Sequence, residues 1–495
     1  MGCKEERQCA AAAHARWNCR GIRTVCGEGE AEFFSLSPFD KARYSSLLKG
    51  LEITVKKLSD VMCNDSMRME AEFYTAKTSS FGSVTGNDAI IFSQYGTSDE
   101  LNECSNGYPV LRLNEFDLAF IGMPAKWARL SKEDVQALRL CKDDVLICRT
   151  NGNPHLVGKS AIVPCDCDIA FASYLFRVRP NRRYINSSAL VAFLNSKYGR
   201  REIERFSMQS NQANFSPAKF RQIKVPLLGD ELNSRIEKLT YRAYKCNESA
   251  KLLYANAENQ LLIELGFAKW MPTDDGVSVK SFSETVISGR IDAEYFQPKF
   301  DELMRRLEKC ALRDLGGPGG LVDLYKSIDP PSDFYGDEGV PFVRIADFSK
   351  FGIESPEVRL PEEVCKDCRR IRKDTILLTK DGSVGIAYKA EDDFDAVTSG
   401  AILHLTLKHG VVDPDYLTLV LNSRIVQMQA ERDAGGSIIQ HWKPSQVEKV
   451  KIPVLPRRVQ LSLATKVRES FQLRQECKRL LEETKRQVED AIENA

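Results

Sequence analysis

The sequence lacks any apolar run approaching the ~18 residues that cross a bilayer. The alanines at 10–13 give way at once to His14 and Arg16, so neither a membrane span nor a secretory leader is expected, and the expected location is cytoplasmic. Met1-Gly2-Cys3 has the form of a lipidation start, but Glu6 stands where a myristoylation signal requires Ser or Thr. Net charge is almost absent: 70 Lys plus Arg against 69 Asp plus Glu leave +1. The overall balance therefore neither implies nor excludes a polyanionic partner, and charge must be read locally. Histidine is scarce, with five residues scattered singly, which offers no ligand cluster and no evident general base. The 15 cysteines are odd in number and follow no regular spacing, as expected of free thiols in a reducing compartment. Cys365-Lys-Asp-Cys368 has the spacing of half a zinc knuckle, but structural zinc takes four ligands and no second pair lies nearby, so no metal is expected. Gly316-Gly317-Pro318-Gly319-Gly320 lacks the Gly-Lys-Ser/Thr ending of a phosphate-cradling loop and reads as a turn.

What is present is a folding composition, 43% hydrophobic and 28% charged over 495 residues, enough for about three globular units. Its main feature is an internal repeat at an offset near 230 residues. Tyr108-Pro109-Val110-Leu111-Arg112 aligns with Val340-Pro341-Phe342-Val343-Arg344, and both read as strands. Asp144 to Gly152 aligns with Asp374 to Gly382, an apolar strand followed by a polar loop closed by glycine. Leu194-Asn195-Ser196 matches Leu421-Asn422-Ser423, and Ile223-Lys224-Val225-Pro226 matches Val450-Lys451-Ile452-Pro453. At the head of each half, Arg68 to Tyr74 mirrors Arg290 to Phe296. The order is kept throughout, so the chain is a tandem duplication.

After Pro226 and Pro453 the pattern changes to a long polar helix free of internal proline. Leu232, Ile236, Leu239, Ala243, Cys246, Ala250, Leu253 and Ala257 form a heptad seam; Val459, Leu463, Ser470, Leu473, Cys477, Leu480 and Thr484 form a weaker one. The first helix, about 35 residues, spans ~50 Å. The expected divisions are an extension at 1–44, a first domain at 45–228, a helix at 229–266, a linker at 267–277, a second domain at 278–455 and a helix at 456–495.

With this arrangement the sequence resembles the specificity subunit of Type I restriction-modification systems, over roughly residues 50 to 495. The resemblance rests on Asp144 to Val163, on Ser210 to Leu227, on the helix after each Ile/Val-Pro, and above all on their twofold recurrence. It implies an α+β fold: two tandem α/β target-recognition domains separated by two long antiparallel coiled-coil helices. It further implies double-stranded DNA as ligand, two copies of a modification (methyltransferase) subunit and a restriction subunit as partners, and no cofactor on this chain. The seam residues Leu232, Ile236, Leu239, Leu253, Val459, Leu463, Leu473 and Leu480 are the expected partner surface.

Local chemistry supplies candidate DNA contacts. Arg149, Asn151 and Asn153, with Lys159 beyond, offer donors suited to guanine and adenine edges; the competing account is a turn whose polar side chains only cap backbone groups. Between Arg177 and Arg205 stand eight Arg or Lys against two Glu, among them Arg182 and Arg183, suited to phosphates. Ser98 and Lys326 precede the two Pro-Arg strands, and Lys380 and Ser383 occupy the loop matching Arg149. Ser210, Asn211, Gln212 and Asn214, opposite Gln440, His441 and Trp442, suit either DNA or the junction with the helix. Asp329-Pro330-Pro331-Ser332 resembles the tetrad of amino-methyltransferases, but Ser332 cannot stack on a flipped base, so no catalytic residue is assigned. A duplicated protein-interaction scaffold is the rival function, and an intrinsic methyltransferase a third.

Overall fold

Short apolar runs bounded by turn residues become strands, and each half delivers them in one order. The computed structural model describes residues 58–59, 81–207, 213–273, 277–354, 356–408, 410–435 and 440–494. The expectations for the extension at 1–44, for Arg68 to Tyr74 and for Ser210 to Gln212 lie outside them. Met1–Thr78 and Ser79–Ala495 are separate units; in the first, Leu58 and Ser59 are helical, and the second is as follows.

In the first copy, strands Ile90–Tyr95, Leu175–Pro180, Val145–Cys148 and Ser160–Ile162 lie side by side, all antiparallel. In the second, Val322–Lys326, Ile402–Leu407, Ile376–Thr379 and Ala387–Lys389 repeat that order. The central strands Val145–Cys148 and Ile376–Thr379 are buried along their whole length, which is why they read as unbroken apolar runs rather than alternating ones. A smaller sheet also recurs. Tyr108–Leu111 pairs antiparallel with Lys126–Ala128 and parallel with Ala170–Phe171, as Val340–Val343 does with Arg359–Leu360 and Val397–Thr398. Finally Ser83–Thr85 pairs with Lys224–Pro226, and Leu312–Asp314 with Lys451–Pro453, tying the start of each copy to the residues that precede its long helix. Among the described residues no strand of one copy pairs with a strand of the other.

The duplication extends to special backbone positions. Gly107 and Gly339 both enter the Pro-containing strand at positive φ, 112° and 102°. A Cβ there would sit 2.2 Å from the carbonyl oxygen of Ala128 or Leu360, so the neighbouring strand can approach only glycine. Asp143 and Asp374 are left-handed at φ 69° and 63°, a conformation that Asp tolerates better than most residues. Each amide donates to the same place, the carbonyls of Val163 and Ala390, at 2.9 Å. This corrects the sequence alignment by one residue: Asp374 corresponds to Asp143 rather than Asp144, and Lys380 therefore to Arg149.

The long helices are Gly229–Glu264 and Arg457–Glu493, each about 55 Å. They pack on one another in opposite directions: Ser470 Oγ donates to the Ala250 carbonyl at 2.7 Å, Arg474 reaches Asn247, Lys466 reaches Gln260, and Arg242 lies 3.9 Å from Glu476. The first helix ends on the second copy, where Tyr254, Ala257, Leu261 and Trp270 join a core with Leu403, Leu405 and Tyr416. The second ends on the first copy, where Glu493 accepts from the Tyr198 hydroxyl at 2.9 Å and Glu489 from the Lys197 amide at 2.8 Å. Each helix thus starts on its own copy and finishes on the other.

The buried stripe of the first helix differs from the heptad seam expected of it. Asn233, Ile236, Thr240, Ala243, Asn247, Ala250, Tyr254, Ala257 and Leu261 face inward, whereas Leu232, Leu239 and Leu253 are only half-buried. Polar residues take inward positions where partners satisfy them: the Asn233 side chain donates to the Gly229 carbonyl at 2.9 Å and accepts from the Asn186 amide at 3.5 Å, and Asn247 donates to Asp117 at 2.8 Å. The expected partner surface is corrected accordingly. Ile236, Leu463 and Leu480 are buried inside the chain, each worth ~1.5–3 kcal/mol of transfer free energy, and present no surface while the helices stay paired. Val459 and Leu473, like the three leucines, are half-buried.

At the midpoint of the pair lies a polar knot. Arg474 Nη2 is 2.7 Å from Asp117 Oδ1, Arg474 Nη1 donates to Asn247 at 3.0 Å, and Lys251 reaches the other Asp117 oxygen at 2.9 Å. Burial alone would raise the Asp117 carboxyl; Arg474, Asn247 and Lys251 outweigh it and hold the group at about 2. Removing Arg474 leaves a largely buried carboxylate whose charge, among the described residues, is answered by Lys251 alone, so Arg474→Ala is expected to cost roughly 2–3 kcal/mol, read as a lowered denaturant midpoint. Arg242→Ala, whose guanidinium is two-thirds exposed and 3.9 Å from Glu476, should cost under about 1 kcal/mol.

Candidate nucleic-acid interface

The loop after Val145–Cys148 is held open by backbone bonds to its surroundings. The Arg149 amide donates to the Tyr174 carbonyl at 2.7 Å, the Phe215 amide to the Arg149 carbonyl at 2.7 Å, and Thr150 bridges to Asn214. In the second copy the Lys380 amide donates to Ala401 at 2.8 Å, the Trp442 amide to the Lys380 carbonyl at 2.7 Å, and Asp381 bridges to His441. Asn214 and His441 therefore serve the loop junction through their backbones, while the His441 ring remains exposed to act at the loop.

Side chains distinguish the copies. The Arg149 guanidinium lies 5.4 Å from the Tyr95 ring centroid, a cation–π placement that fixes a charge without neutralising it, and among the described residues its buried Nε has no hydrogen-bond partner. The strand register puts Lys326 where Tyr95 stands, since Tyr95 pairs with Phe176 and Lys326 with Leu403 on equivalent strands. Two cations, Lys326 and Lys380, thus flank the second loop, and each has a carboxylate: Asp329 at 3.2 Å from Lys326, and Asp381 against Lys380. Asp381 also holds His441 Nδ1 at 2.7 Å. Asp329 accepts from the Gly400 amide at 3.0 Å, so the carboxylate of the Asp-Pro-Pro-Ser stretch is engaged in fixing a turn.

Asn151 and Asn153 do what the turn account requires. Asn151 Oδ1 accepts from the Asn153 amide and Asn153 Oδ1 from the His155 amide, both at 2.9 Å. Among the described residues only their carbonyl ends are committed, which leaves the amide N–H₂ groups as donors. Beside this loop, Arg112, Asn114, Thr150, Asn151 and Tyr174 line a cleft of about 340 Å³. Asn114 and Tyr174 were not among the sequence candidates. Tyr174 is an aromatic residue half exposed to solvent directly before a strand, and an apolar–polar pattern gives no sign of which face such a residue takes.

The remaining candidates are spread apart. Ser98 is exposed just beyond Tyr95, and Ser383 is exposed in the second loop. Lys159 lines a groove shared with Lys478 and Lys485 of the second long helix. Arg182 and Arg183 follow the far end of strand Leu175–Pro180, roughly 20 Å from Tyr174, and Arg182 pairs with Asp143 at 3.0 Å and with Glu237 of the first helix at 2.8 Å. Arg183 is exposed over Tyr184. The basic stretch is also partly internal: Arg177 is buried against Asp144 at 3.1 Å, and Arg200 donates to the carbonyls of Val157 and His155. Sequence counting overstates its free charge because the acidic partners come from distant elements.

At the opposite end of the second large sheet, Arg369, Arg372, Lys373, Lys408 and His404 line a cleft of about 700 Å³. His404 is buried and hydrogen-bonds Thr398 at 2.9 Å; burial, then the charge of Arg369, pull its imidazole down to about 4. Among the described residues no group of three or more His, Cys, Asp or Glu is placed to hold a metal ion, and no helix is long and apolar enough to cross a membrane.

No family model matches the chain. It is similar to the specificity subunit of the Type I restriction enzyme StySPI from Salmonella potsdam, 25% identical over 142 residues that cover 27% of this chain and 29% of that protein. Among solved structures, the Type I restriction-modification S subunit of M. genitalium aligns with 84% of the chain and 96% of its own length at 11% identity and a TM-score of 0.38. The HsdS subunit of Thermoanaerobacter tengcongensis aligns with 83% and 95% at 15% identity and a TM-score of 0.27. The resemblance to Type I specificity subunits read from the sequence is borne out.

Proposed function

We propose that the chain is the DNA-recognition subunit of a Type I restriction-modification complex, reading a split target and directing a partner adenine methyltransferase to it. The observation that carries this reading is the contrast between two copies with one backbone topology and differently furnished loops at the same edge, Arg149 over Tyr95 in one and Lys380, Asp381 and His441 in the other. A duplicated scaffold that bound one protein twice would have no use for that contrast.

In this reading residues 45–228 and 278–455 are two target-recognition domains, and 229–266 with 456–495 form an antiparallel coiled-coil spacer joined by 267–277. The crossing of each helix onto the other copy supports a fixed separation, which suits two half-sites about one DNA turn apart. Arg149, Asn151, Asn153, Ser98, Lys326, Lys380 and Ser383 belong to the loops that face DNA; Arg183 and Lys159 serve phosphates outside them, and Arg182 is a bridge between sheet and helix. Catalysis belongs to the partners, two modification subunits that bring S-adenosylmethionine and a restriction subunit that brings ATP and Mg²⁺. With the seam occupied, docking falls to the outward face of the first helix, where Tyr241, Leu252 and Ile263 stand exposed at eleven-residue spacing, three turns apart on one side.

The test is a footprint of the full chain with its methyltransferase partner. Two protected tracts with an unread gap are expected, and Arg149→Ala should lower affinity about tenfold through one tract only. Equal loss on every sequence would make Arg149 a phosphate contact; no sequence preference at all would favour the scaffold; methyl transfer by the chain alone would overturn a non-catalytic role. Leu252→Asp should release the methyltransferase without changing the thermal midpoint.

A further inference from the structure

The cleft beside Arg149 is furnished in a way that its counterpart is not. The backbone equivalences fix the comparison residue by residue. Arg112 opens a short 3-10 turn, Leu113–Glu115, as Arg344 opens Ile345–Asp347. In both, the Arg side chain turns back onto the acid three residues on, at 2.6 Å for Arg112 with Glu115 and 3.4 Å for Arg344 with Asp347. That acid also accepts from the Arg amide. The Arg–acid pair is therefore framework, closed on itself in each copy, and its charge is answered.

The other lining positions diverge in one direction. Asn114 is matched by Ala346 within the turn, Asn151 by Gly382 after the bridging residue, and Tyr174 by Ala401, whose carbonyl takes the equivalent amide. Three residues bearing two amides and a phenol face three with no side chain beyond Cβ. Asn114 is exposed, and among the described residues no hydrogen bond engages its side chain, so it offers a donor and an acceptor side by side, complementary to the pair that adenine presents through N6 and N7 in the major groove. Asn151, its carbonyl spent on the Asn153 amide, offers donors only, and Tyr174 offers an exposed ring and hydroxyl.

We infer that the Arg112–Asn114–Asn151–Tyr174 cleft is a base-reading site present in the first copy alone, with Asn114 as its adenine-selecting residue. The inference rests on the DNA-recognition reading and adds to it an identified base class and an asymmetry. The second copy, stripped to Ala346, Gly382 and Ala401, reads through Lys380, Asp381 and His441 instead.

Site selection from a randomised duplex library tests this with the full chain in complex with its methyltransferase. Wild type should enrich a two-part motif. Asn114→Ala should lose the preference for adenine at one position of one part, at least tenfold against the other bases, and leave the second part unchanged. Ala346→Ser serves as the control for the matched position and should leave both parts as they were. A wild-type motif that survives Asn114→Ala intact, with Tyr174→Ala and Asn151→Ala equally silent, would overturn the cleft while leaving DNA recognition standing. Enrichment of no motif by wild type would overturn both. A circular-dichroism spectrum and thermal midpoint matching wild type separate loss of reading from loss of fold, and because Asn114 is exposed, both are expected to hold.

Discussion

The antiparallel pairing of the two long helices is the interaction on which everything else in residues 79–495 depends. Each copy closes its own sheets, and among the described residues no strand pairing relates one copy to the other; the relation comes from the helices. Because each helix begins on one copy and buries its far end in the other, the pair fixes both distance and rotation between the copies. Its centre is polar. Asn247 and Arg474 meet there on equivalent positions of the two helices, and Asp117 from the first copy answers Arg474. A wholly apolar centre would tolerate a one-turn slip, whereas a slip here strands a carboxylate and a guanidinium in the interior. Specification of register is the best-attested use of such a group.

Against this rigid frame, a few of the many differences between the copies have a large electrostatic effect. Exchanging Tyr95 for Lys326 turns a cation–π platform into a second cation, and two carboxylates, Asp329 and Asp381, accompany the change. Among the described residues the first loop keeps a charge that no acid answers; the second is an alternating set of charges with an imidazole in it. A similar exchange occurs within the cores. Arg177 and His404 hold one position of the large sheet: Arg177 fills the space with bonds to Asp144 and to the Arg139 and Ala137 carbonyls, while the smaller, neutral His404 leaves a cleft beside it.

The duplication was legible in the sequence because proline, glycine and apolar runs are set by backbone geometry, and backbone geometry is what the copies share. The alignment slipped by one residue at Asp143 because Asp143 and Asp144 are identical letters, and only the left-handed φ of Asp143 tells them apart. The long helices were legible as helices; their inward face was not, since apolarity places Leu232, Leu239 and Leu253 inside, whereas Asn233 and Asn247 go inside with partners from other elements. The same reason limited the candidate site. Arg149 stood out as a cation in a glycine-closed loop, but the neutralisation of Arg182 by Glu237 and the place of Lys159 in a groove with the second helix depend on contacts across dozens to hundreds of residues. Asn114 and Tyr174 carry no local signal at all; the folded chain brings them together in one cleft, and comparison of the two copies sets them apart from Ala346 and Ala401.

If a stiff pair of helices sets the separation, the gap between the two parts of the proposed DNA target cannot vary. Affinity should be measured for duplexes that keep both parts and lengthen or shorten the gap by one and two base pairs, each step turning one part by about 35° relative to the other. A sharp optimum is expected, with affinity falling by tenfold or more on either side of one gap length. Equal affinity across all gaps would mean that the copies move independently, and would contradict the role given to the helices.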